Sequence, residues 1–236
     1  MLDPTSSLLT RDPFSHIFLD GPVETTELVL IRHGHAKPGP GAPDPIDPPL
    51  TDVGRLQADA LAERLRHERF DAIYASPMRR ALETAAPLAG RAGIGVQRHD
   101  GLREVGIQLA ESSRDELAAW AASFNERLAK SGGRTGFRWD DLPLTEQSSP
   151  FRHRVLAAVD DIVEEHAGER VAIVCHAGVI NACVAAALGL ESDMFFLPLN
   201  ASITVVRAIG ERRVVHRMND YEHLLKAARF ATAVAG

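Results

Sequence analysis

Three segments of the sequence place arginine or histidine side chains directly after short apolar runs. They are Arg32-His33-Gly34 after residues 28–31, Arg80 shortly after residues 70–75, and His176-Ala177-Gly178 after residues 171–175. Short apolar runs that contain branched residues are typical of buried strands. Because ligands of open α/β sheets bind beyond the carboxyl ends of the strands, we expect these side chains to meet in one basin.

Such a basin would suit a phosphate group. Arginine donates paired hydrogen bonds to phosphate oxygens and keeps its charge. Backbone N–H groups at Gly34 and Gly178 can approach the same anion, Ala177 lies beside them, and helix N-termini after residues 77 and 178 add favourable dipoles. An unprotonated imidazole can attack phosphorus if cations spread the charge and an acid protonates the leaving oxygen. The candidates are His33 as the nucleophile, Glu104 as the acid and, as the clamp on the phosphate, Arg32, Arg80 and protonated His176.

Strand-like and helix-like segments alternate along the chain. Strands are predicted at residues 28–31, 70–75, 94–97, 171–175, 202–209 and 213–217, and helices at 51–65, 77–89, 113–130, 152–165 and 179–188. This alternation predicts an α/β fold with a mainly parallel central sheet.

The length of 236 residues allows one large domain with additions. We predict an irregular N-terminal arm at residues 1–25 and one domain at 26–236, with a cap-like insertion at about 104–150. The insertion would cover the face of the sheet, where specificity usually lies. The amphipathic segment 221–234 is predicted to dock on the domain, and a homodimer contact is the alternative.

The composition excludes several classes of protein. The formal net charge of −6 and the pI near 5.9 argue against nucleic acid or an anionic membrane as a partner. The first 20 residues hold no apolar core of a secretory signal, and no stretch is long enough for a membrane span. Cys175 and Cys183 fall in apolar segments and read as reduced core residues. We expect a soluble, cytoplasmic protein.

Five motifs in order make the sequence similar to the histidine phosphatase superfamily, which has the phosphoglycerate mutase-like fold. They lie at residues 28–34, 49–58, 76–85, 102–104 and 174–180, and segments 200–204 and 219–224 also match. The resemblance implies a three-layer α/β/α sandwich and a metal-independent phosphatase without a cofactor, acting on a small phosphorylated substrate. It implies that His33 becomes a phosphohistidine, that Arg32, Arg80 and His176 complete the phosphate pocket, and that Glu104 donates the proton.

Alternative interpretations remain open at this stage. A phosphoglycerate mutase would return the phosphoryl group to a bound product, although the His35-Ala36-Lys37-Pro38 segment departs from the usual mutase pattern. A non-catalytic phospho-ligand binding module would retain the pocket without turnover. His33, His35 and His176 could suggest zinc, but the adjacent arginines would repel a cation. We interpret His35 as a loop residue at the mouth of the pocket.

Overall fold

A six-stranded sheet runs through the protein. The computed structural model describes residues 25–37, 46–107, 114–130 and 136–227. The strands are β1 (Thr26–Arg32), β2 (Ala72–Ala75), β3 (Val96–Arg98), β4 (Arg170–Cys175), β5 (Ile203–Ile209) and β6 (Arg212–Asp220). Their order across the sheet is β3-β2-β4-β1-β5-β6. The first four strands in this order pair in parallel, and β5 and β6 are joined on antiparallel, so the sheet is mainly parallel as predicted.

Within the described ranges, five helices connect or flank the strands, and a further helical segment lies at residues 222–227. They are α1 (Asp52–Arg64), α2 (Arg79–Ala92), α3 (Arg114–Lys130), α4 (Ser148–Glu165) and α5 (Ala177–Leu188), with short 3-10 turns at Asp100–Leu102 and Trp139–Asp141. The helix predicted from residue 77 begins only at Arg79, because Met78 still has extended backbone and is its N-cap. Two other helices, α4 and α5, begin earlier than predicted, at Ser148 and Ala177.

Successive residues of the central strands point to opposite faces of the sheet, as the pleat requires. Leu28 and Leu30 belong to a core shared with α4 and α5, and Val29 and Ile31 belong to a second core shared with α1 and α2. Each of these side chains is almost fully buried, and burying a side chain of this size stabilises the fold by about 1.5–3 kcal/mol. Helices therefore cover both faces, and the predicted α/β/α sandwich is confirmed.

Strand β1 lies between β4 and β5, and its register with β4 determines which residues are neighbours at the ends of the two strands. Glu27 pairs with Arg170 in the parallel direction, and the ladder continues to the pair formed by Arg32 and Cys175. The residues that follow these two strand ends, His33 and His176, are therefore neighbours at one edge of the sheet.

The segment between β3 and β4 contains an aromatic cluster beside the first core. Rings of Trp120 and Phe124 on α3 are stacked 5.4 Å apart, and Phe124 also contacts Phe137 and Trp139. Trp139 in turn meets Phe151 of α4 at 6.0 Å. These contacts tie α3 to the body of the domain.

The two ends of the chain are described only in part. All of the predicted N-terminal arm except Thr25 lies outside the described residues. At the other end, residues 222–227 are helical and Leu224 packs against the second core, whereas residues 228–234 of the predicted docking helix lie outside the described range. No helix among the described residues is long and apolar enough to cross a membrane.

Candidate active site

The carboxyl ends of β1, β2 and β4 bring the predicted histidines and one arginine together. His33 follows β1, His176 follows β4, and their ring centroids are 5.1 Å apart in an edge-on arrangement. Arg80, the second residue of α2, donates from Nε to Nε2 of His33 at 3.1 Å. His33 and Arg80 are each only 8% exposed, and His176 is fully buried.

The two nitrogens of the His33 ring have different partners. Nδ1 lies 2.7 Å from the carbonyl oxygen of Gly34, which can only accept, and Nε2 lies opposite the N–H of Arg80, which can only donate. The proton therefore belongs on Nδ1, and Nε2 carries the lone pair. Burial and the positive charges of Arg80 and Arg32 lower the pKa of His33 well below its usual value. His33 is thus a neutral imidazole whose unprotonated nitrogen, Nε2, accepts the hydrogen bond from Arg80.

The backbone on both sides of His33 is held in place. The N–H of His33 donates to the carbonyl of Cys175 at 3.0 Å, and Asn200 Nδ2 donates to the carbonyl of His33 at 3.0 Å. A Cβ atom on Gly34 would lie 2.6 Å from the carbonyl oxygen of Gly54 in α1, so the chain can pass here only without a side chain. The N–H of Gly34, expected to face an anion, donates to Thr84 Oγ1 at 2.9 Å.

Arg80 is fixed by a loop that the sequence did not single out. Its Nη1 donates to the carbonyl of Ile46 at 3.0 Å and lies 3.5 Å from Oδ1 of Asp47. The same carboxylate accepts from the N–H of Arg79 at 2.9 Å, at the start of α2. Asp47 therefore serves both the N-terminus of the helix and the guanidinium that reaches His33. An aspartate 32 residues before its helix gives no local capping signal.

Arg32 is the second arginine at this edge. Its Nη1 donates to the carbonyl of Pro198 at 2.5 Å, while Nε is buried and finds no hydrogen-bond partner among the described residues. Burial lowers the pKa of Arg32, an effect that Glu104 opposes and Arg80 reinforces. The charge of Arg32 thus interacts with those of the proposed acid and of the other arginine.

His176 is held by a hydroxyl that the sequence analysis missed. Its Nε2 lies 2.8 Å from Oγ of the buried Ser76, at the end of β2. Burial and then the charge of Arg80 lower the pKa of His176 well below its usual value, and His33 and Arg32 add to this shift. These surroundings favour neutral His176, whereas the sequence predicted a protonated one. A phosphate dianion held beside the imidazole would favour the proton again.

Glu104 lies across the pocket at the N-terminus of α5. Its Oε1 accepts from the N–H of Val105 at 3.0 Å, and its Oε2 accepts from the N–H of Gly178 at 3.2 Å. A Cβ atom on Gly178 would overlap Oε1 of Glu104, so only glycine leaves room for this carboxylate. The N–H of Gly178, expected to face an anion, thus holds the acid, while Ala177 is the first residue of the helix.

His33, Arg80 and Glu104 line one cavity of about 180 Å³. The other described residues that line it are apolar: Ala36, Ile46, Pro48, Met78, Val105 and Ile107. A larger cleft of about 460 Å³ between α4 and the β5–β6 turn contains none of the predicted site residues. The predicted nucleophile and the predicted acid therefore share the smaller cavity.

Other residues considered in the sequence lie outside this cavity. His35 is exposed, and its Nδ1 lies 2.9 Å from Thr51 Oγ1, at the cap of α1. Cys175 and Cys183 are buried free cysteines, and burial raises the pKa of both thiols, to about 12 for Cys183. Within the described ranges, no three His, Cys, Asp or Glu side chains are grouped as metal ligands would be.

The fold and the pocket define an α/β protein with a buried imidazole and a buried arginine at the ends of parallel strands. A model of the histidine phosphatase superfamily (branch 1) matches residues 28–221, and the chain belongs to that family.

Three similar proteins narrow the class. The metal-independent phosphoserine phosphatase of Arabidopsis thaliana is 32% identical over 214 residues, which is 85% of this chain and 84% of that protein. The glucosyl-3-phosphoglycerate phosphatase of Mycolicibacterium vanbaalenii is 33% identical over 174 residues, covering 70% and 76%. The structure of a mycobacterial glucosyl-3-phosphoglycerate phosphatase matches with a TM-score of 0.67 at 27% identity, covering 84% of this chain and all of the other. The chain is a phosphatase of the histidine phosphatase type, and the mutase alternative has less support.

Proposed function

We propose that the protein hydrolyses small phosphomonoesters, without a metal ion, through a phosphohistidine formed on Nε2 of His33. The observation that supports this proposal is that the two ring nitrogens of His33 have different hydrogen-bond partners. Nδ1–H is engaged by the carbonyl of Gly34, and the lone pair of Nε2 is directed towards Arg80. A phosphoryl group bound by Arg80 would therefore be presented to the nucleophilic nitrogen.

The surrounding donors would stabilise the negative charge of the phosphoryl group during its transfer. Arg32 and Arg80 supply fixed positive charge, and His176 supplies a further donor from the neighbouring strand end. The N-terminus of α5, which begins at Ala177, would face the same oxygens, whereas the N–H of Gly34 already donates to Thr84 Oγ1. Buried donors of this kind stabilise the transition state more strongly than the same groups in water.

Glu104 completes the reaction in two steps. As the N–P bond forms and the ester P–O bond breaks, Glu104 gives its proton to the leaving oxygen. Water then attacks the phosphohistidine, the P–N bond breaks, and Glu104 takes the proton from that water. Inorganic phosphate leaves, and both His33 and Glu104 return to their starting states.

Turnover of 4-nitrophenyl phosphate in excess EDTA tests the proposal. The wild-type protein should release nitrophenol, and His33→Ala should not. His67→Ala, which removes an exposed histidine after α1, is the matched control and should retain full activity. Alkaline quenching during turnover should trap one phosphoryl group on the peptide that contains His33. Absence of turnover in the folded wild-type protein, or its loss on chelation, would overturn the proposal.

A mutase and a binding module predict different products. A mutase would convert 3-phosphoglycerate to 2-phosphoglycerate and release little phosphate, whereas a binding module would retain inorganic phosphate without turnover of any ester. We expect net release of inorganic phosphate. Measurement of both products in one reaction separates the three alternatives.

We further propose that the pocket prefers leaving groups without a charge next to the phosphate. Among the described residues, the lining beyond the catalytic groups is apolar, and the neighbouring Arg103 is half exposed and lies 3.5 Å from Asp100. Burying a carboxylate against apolar side chains without a cation is unfavourable. Propyl phosphate should therefore have a higher kcat/KM than 3-phosphooxypropanoate, which differs by one carboxylate. Equal values, or the reverse order, would contradict this preference.

Three further features of the protein stay predictions. The segment at about 104–150 would act as the cap-like insertion that sets specificity, which is supported by Val105 and Ile107 in the pocket lining. The free, buried cysteines support a cytoplasmic protein. A homodimer, and the lack of nucleic-acid or membrane partners, rest on the sequence arguments alone.

A further inference from the structure

One arginine outside the pocket donates hydrogen bonds to the backbone of the segment that contains Glu104. Arg154 lies on α4, and all five of its N–H donors are used. Nη1 donates to the carbonyls of Gly101 at 3.0 Å and Arg103 at 2.8 Å, and Nη2 donates to the carbonyl of Glu104 at 3.0 Å. The remaining donors, Nε and the second of Nη2, bind the two carboxylate oxygens of Glu146 at 2.8 and 2.7 Å.

Glu146 binds the same segment on the C-terminal side of Glu104. Its Oε2 accepts from the N–H of Gly106 at 2.9 Å, and its own N–H donates to the carbonyl of Gly106 at 2.7 Å. Burial disfavours the charge on Glu146, but the bonds from Arg154 and Gly106 outweigh it and lower the pKa of the carboxyl. The pair is thus ionised, bidentate and partly buried, with side-chain exposures of 28% and 22%.

The segment at residues 101–106 also packs directly on α4. A Cβ atom on Gly101 would come within 2.8 Å of the carbonyl oxygen of Arg154 and 2.6 Å of the Ala158 side chain. The guanidinium of Arg154 lies over the ring of Phe151, 4.9 Å from its centroid. Residues 101–106 are therefore fixed to one helix by backbone contact and by the ion pair.

We propose that Arg154 and Glu146 are positioning residues that hold Glu104 where its carboxyl can protonate the leaving oxygen. This inference rests on the proposed function, in which Glu104 is the proton donor. Neither residue lines the cavity or touches the phosphate pocket. Their hydrogen bonds reach Glu104 through the backbone of residues 101–106, and the charge of Arg154, which lysine would keep, also lowers the pKa of His176.

Lysine at position 154 would keep the positive charge but could not make all the hydrogen bonds that Arg154 makes to residues 101–104 and Glu146. Its ammonium is a compact charge with three donors and cannot span five acceptors in one plane. Arg154→Lys should leave Glu104 present but less well oriented, and misplacement by roughly 1 Å costs about 10²-fold in rate. The loss should appear with substrates that need the proton and not with those that do not.

Two substrates and a matched control test the proposal. Single-turnover phosphoryl transfer is measured with propyl phosphate, whose alkoxide needs a proton, and with 4-nitrophenyl phosphate, whose phenolate leaves without one. Arg154→Lys should be slower by 10-fold or more, up to about 10²-fold, with propyl phosphate and within about 3-fold of wild type with the aryl ester. Glu146→Gln should follow the same pattern.

Arg152→Lys is the control on the same helix. Arg152 also makes several hydrogen bonds, to Asp193 and to the carbonyls of Leu190 and Ser192, but none to residues 101–106. It should change the two substrates by the same factor. Equal losses with both substrates in Arg154→Lys would mean a general structural role and would overturn the proposal.

A double variant separates positioning from an independent effect. If Arg154 acts through Glu104, then Arg154→Lys combined with Glu104→Gln should be no slower with propyl phosphate than Glu104→Gln alone. Additive losses would contradict the proposal. If Glu104→Gln slows transfer from both substrates by the same factor, the assignment of Glu104 as proton donor fails. That outcome is distinct from the additive losses that would contradict the positioning role of Arg154.

Discussion

Substitution of Gly178 by alanine should separate catalysis from stability. Gly178 is the second residue of α5, and its N–H holds Oε2 of Glu104 at 3.2 Å. The new methyl group would overlap Oε1 of Glu104 and would lie 3.1 Å from Trp139 and 3.2 Å from Phe151. The two rings need to move by only a few tenths of an ångström. The carboxylate, at the end of a flexible side chain, has to move further.

The size of the effect follows from these contacts. An ordinary van der Waals separation requires the carboxylate oxygen to retreat by roughly 1 Å, and a shift of that size costs about 10²-fold in rate, or about 2.7 kcal/mol in barrier height. The free energy of unfolding should change by less than about 1 kcal/mol, because alanine is the better helix former and offsets part of the crowding.

Gly90→Ala in α2 is the matched control. Nothing lies within 4 Å of a Cβ atom at Gly90, so alanine there should raise stability by about 0.5–1 kcal/mol and leave the rate unchanged. Single-turnover transfer from propyl phosphate gives the rate, and urea unfolding gives the stability. A folded Gly178→Ala protein that transfers phosphate at the wild-type rate would refute the placement of Glu104 as the acid.

Three other predictions concern the core of the site and its support. The pKa values of His33 and His176 are lowered from 6.5 in the fold, so the unfolded chain binds more protons below pH 6.5. Each histidine should remove up to about 1.4 kcal/mol of stability per pH unit as the pH falls from 6.5 towards the folded pKa, and neither should contribute a slope above pH 6.5. Urea unfolding from pH 8 to 5 measures this, and His176→Gln should flatten the dependence; an unchanged slope would contradict it. Asp193→Ala should cost about 3 kcal/mol in urea unfolding, because it removes the carboxylate that pairs with Arg152 at 2.6 Å and leaves the Trp139 N–H and the buried Ser148 hydroxyl without this acceptor. A loss below about 1 kcal/mol would show that this ion pair contributes little. Gly34→Ala should lower stability by about 1–3 kcal/mol, since the atom it meets in α1 is a backbone carbonyl oxygen that cannot swing away. A thermal melt that matches wild type would be inconsistent with that contact.

The sequence predicted the parts of the site that follow from strand ends and local motifs. His33 and His176 directly follow apolar strands that pair in parallel, so a correct α/β interpretation already places them together. Arg80 is similar, because it lies in the first turn of the helix after β2. The histidine phosphatase motifs pointed to the same residues and to the family.

The supporting residues could not be found in this way because their partners are remote in sequence. Ser76 meets His176 across 100 residues, and Asn200 meets His33 across 167. Arg154 contacts the segment of Glu104 from a helix 50 residues away. No periodicity or local motif reports such pairs. Helix starts were less accurate for a local reason, since the extended Met78 delays α2 and His176 serves as the N-cap of α5.

The position of β1 has a consequence for how the protein comes to be active during synthesis. The strand that ends at the nucleophile is made early, yet Glu27 pairs with Arg170 and Thr26 pairs with Ala208. Both hydrogen-bonding edges of β1 therefore remain without their partners until nearly the whole domain has left the ribosome, and such distant pairings form slowly. A chain that stops before β4 has His33 but no strand beside it and no His176. Incomplete products should thus be inactive, and phosphatase activity should arise only when the second half of the domain closes around the first strand.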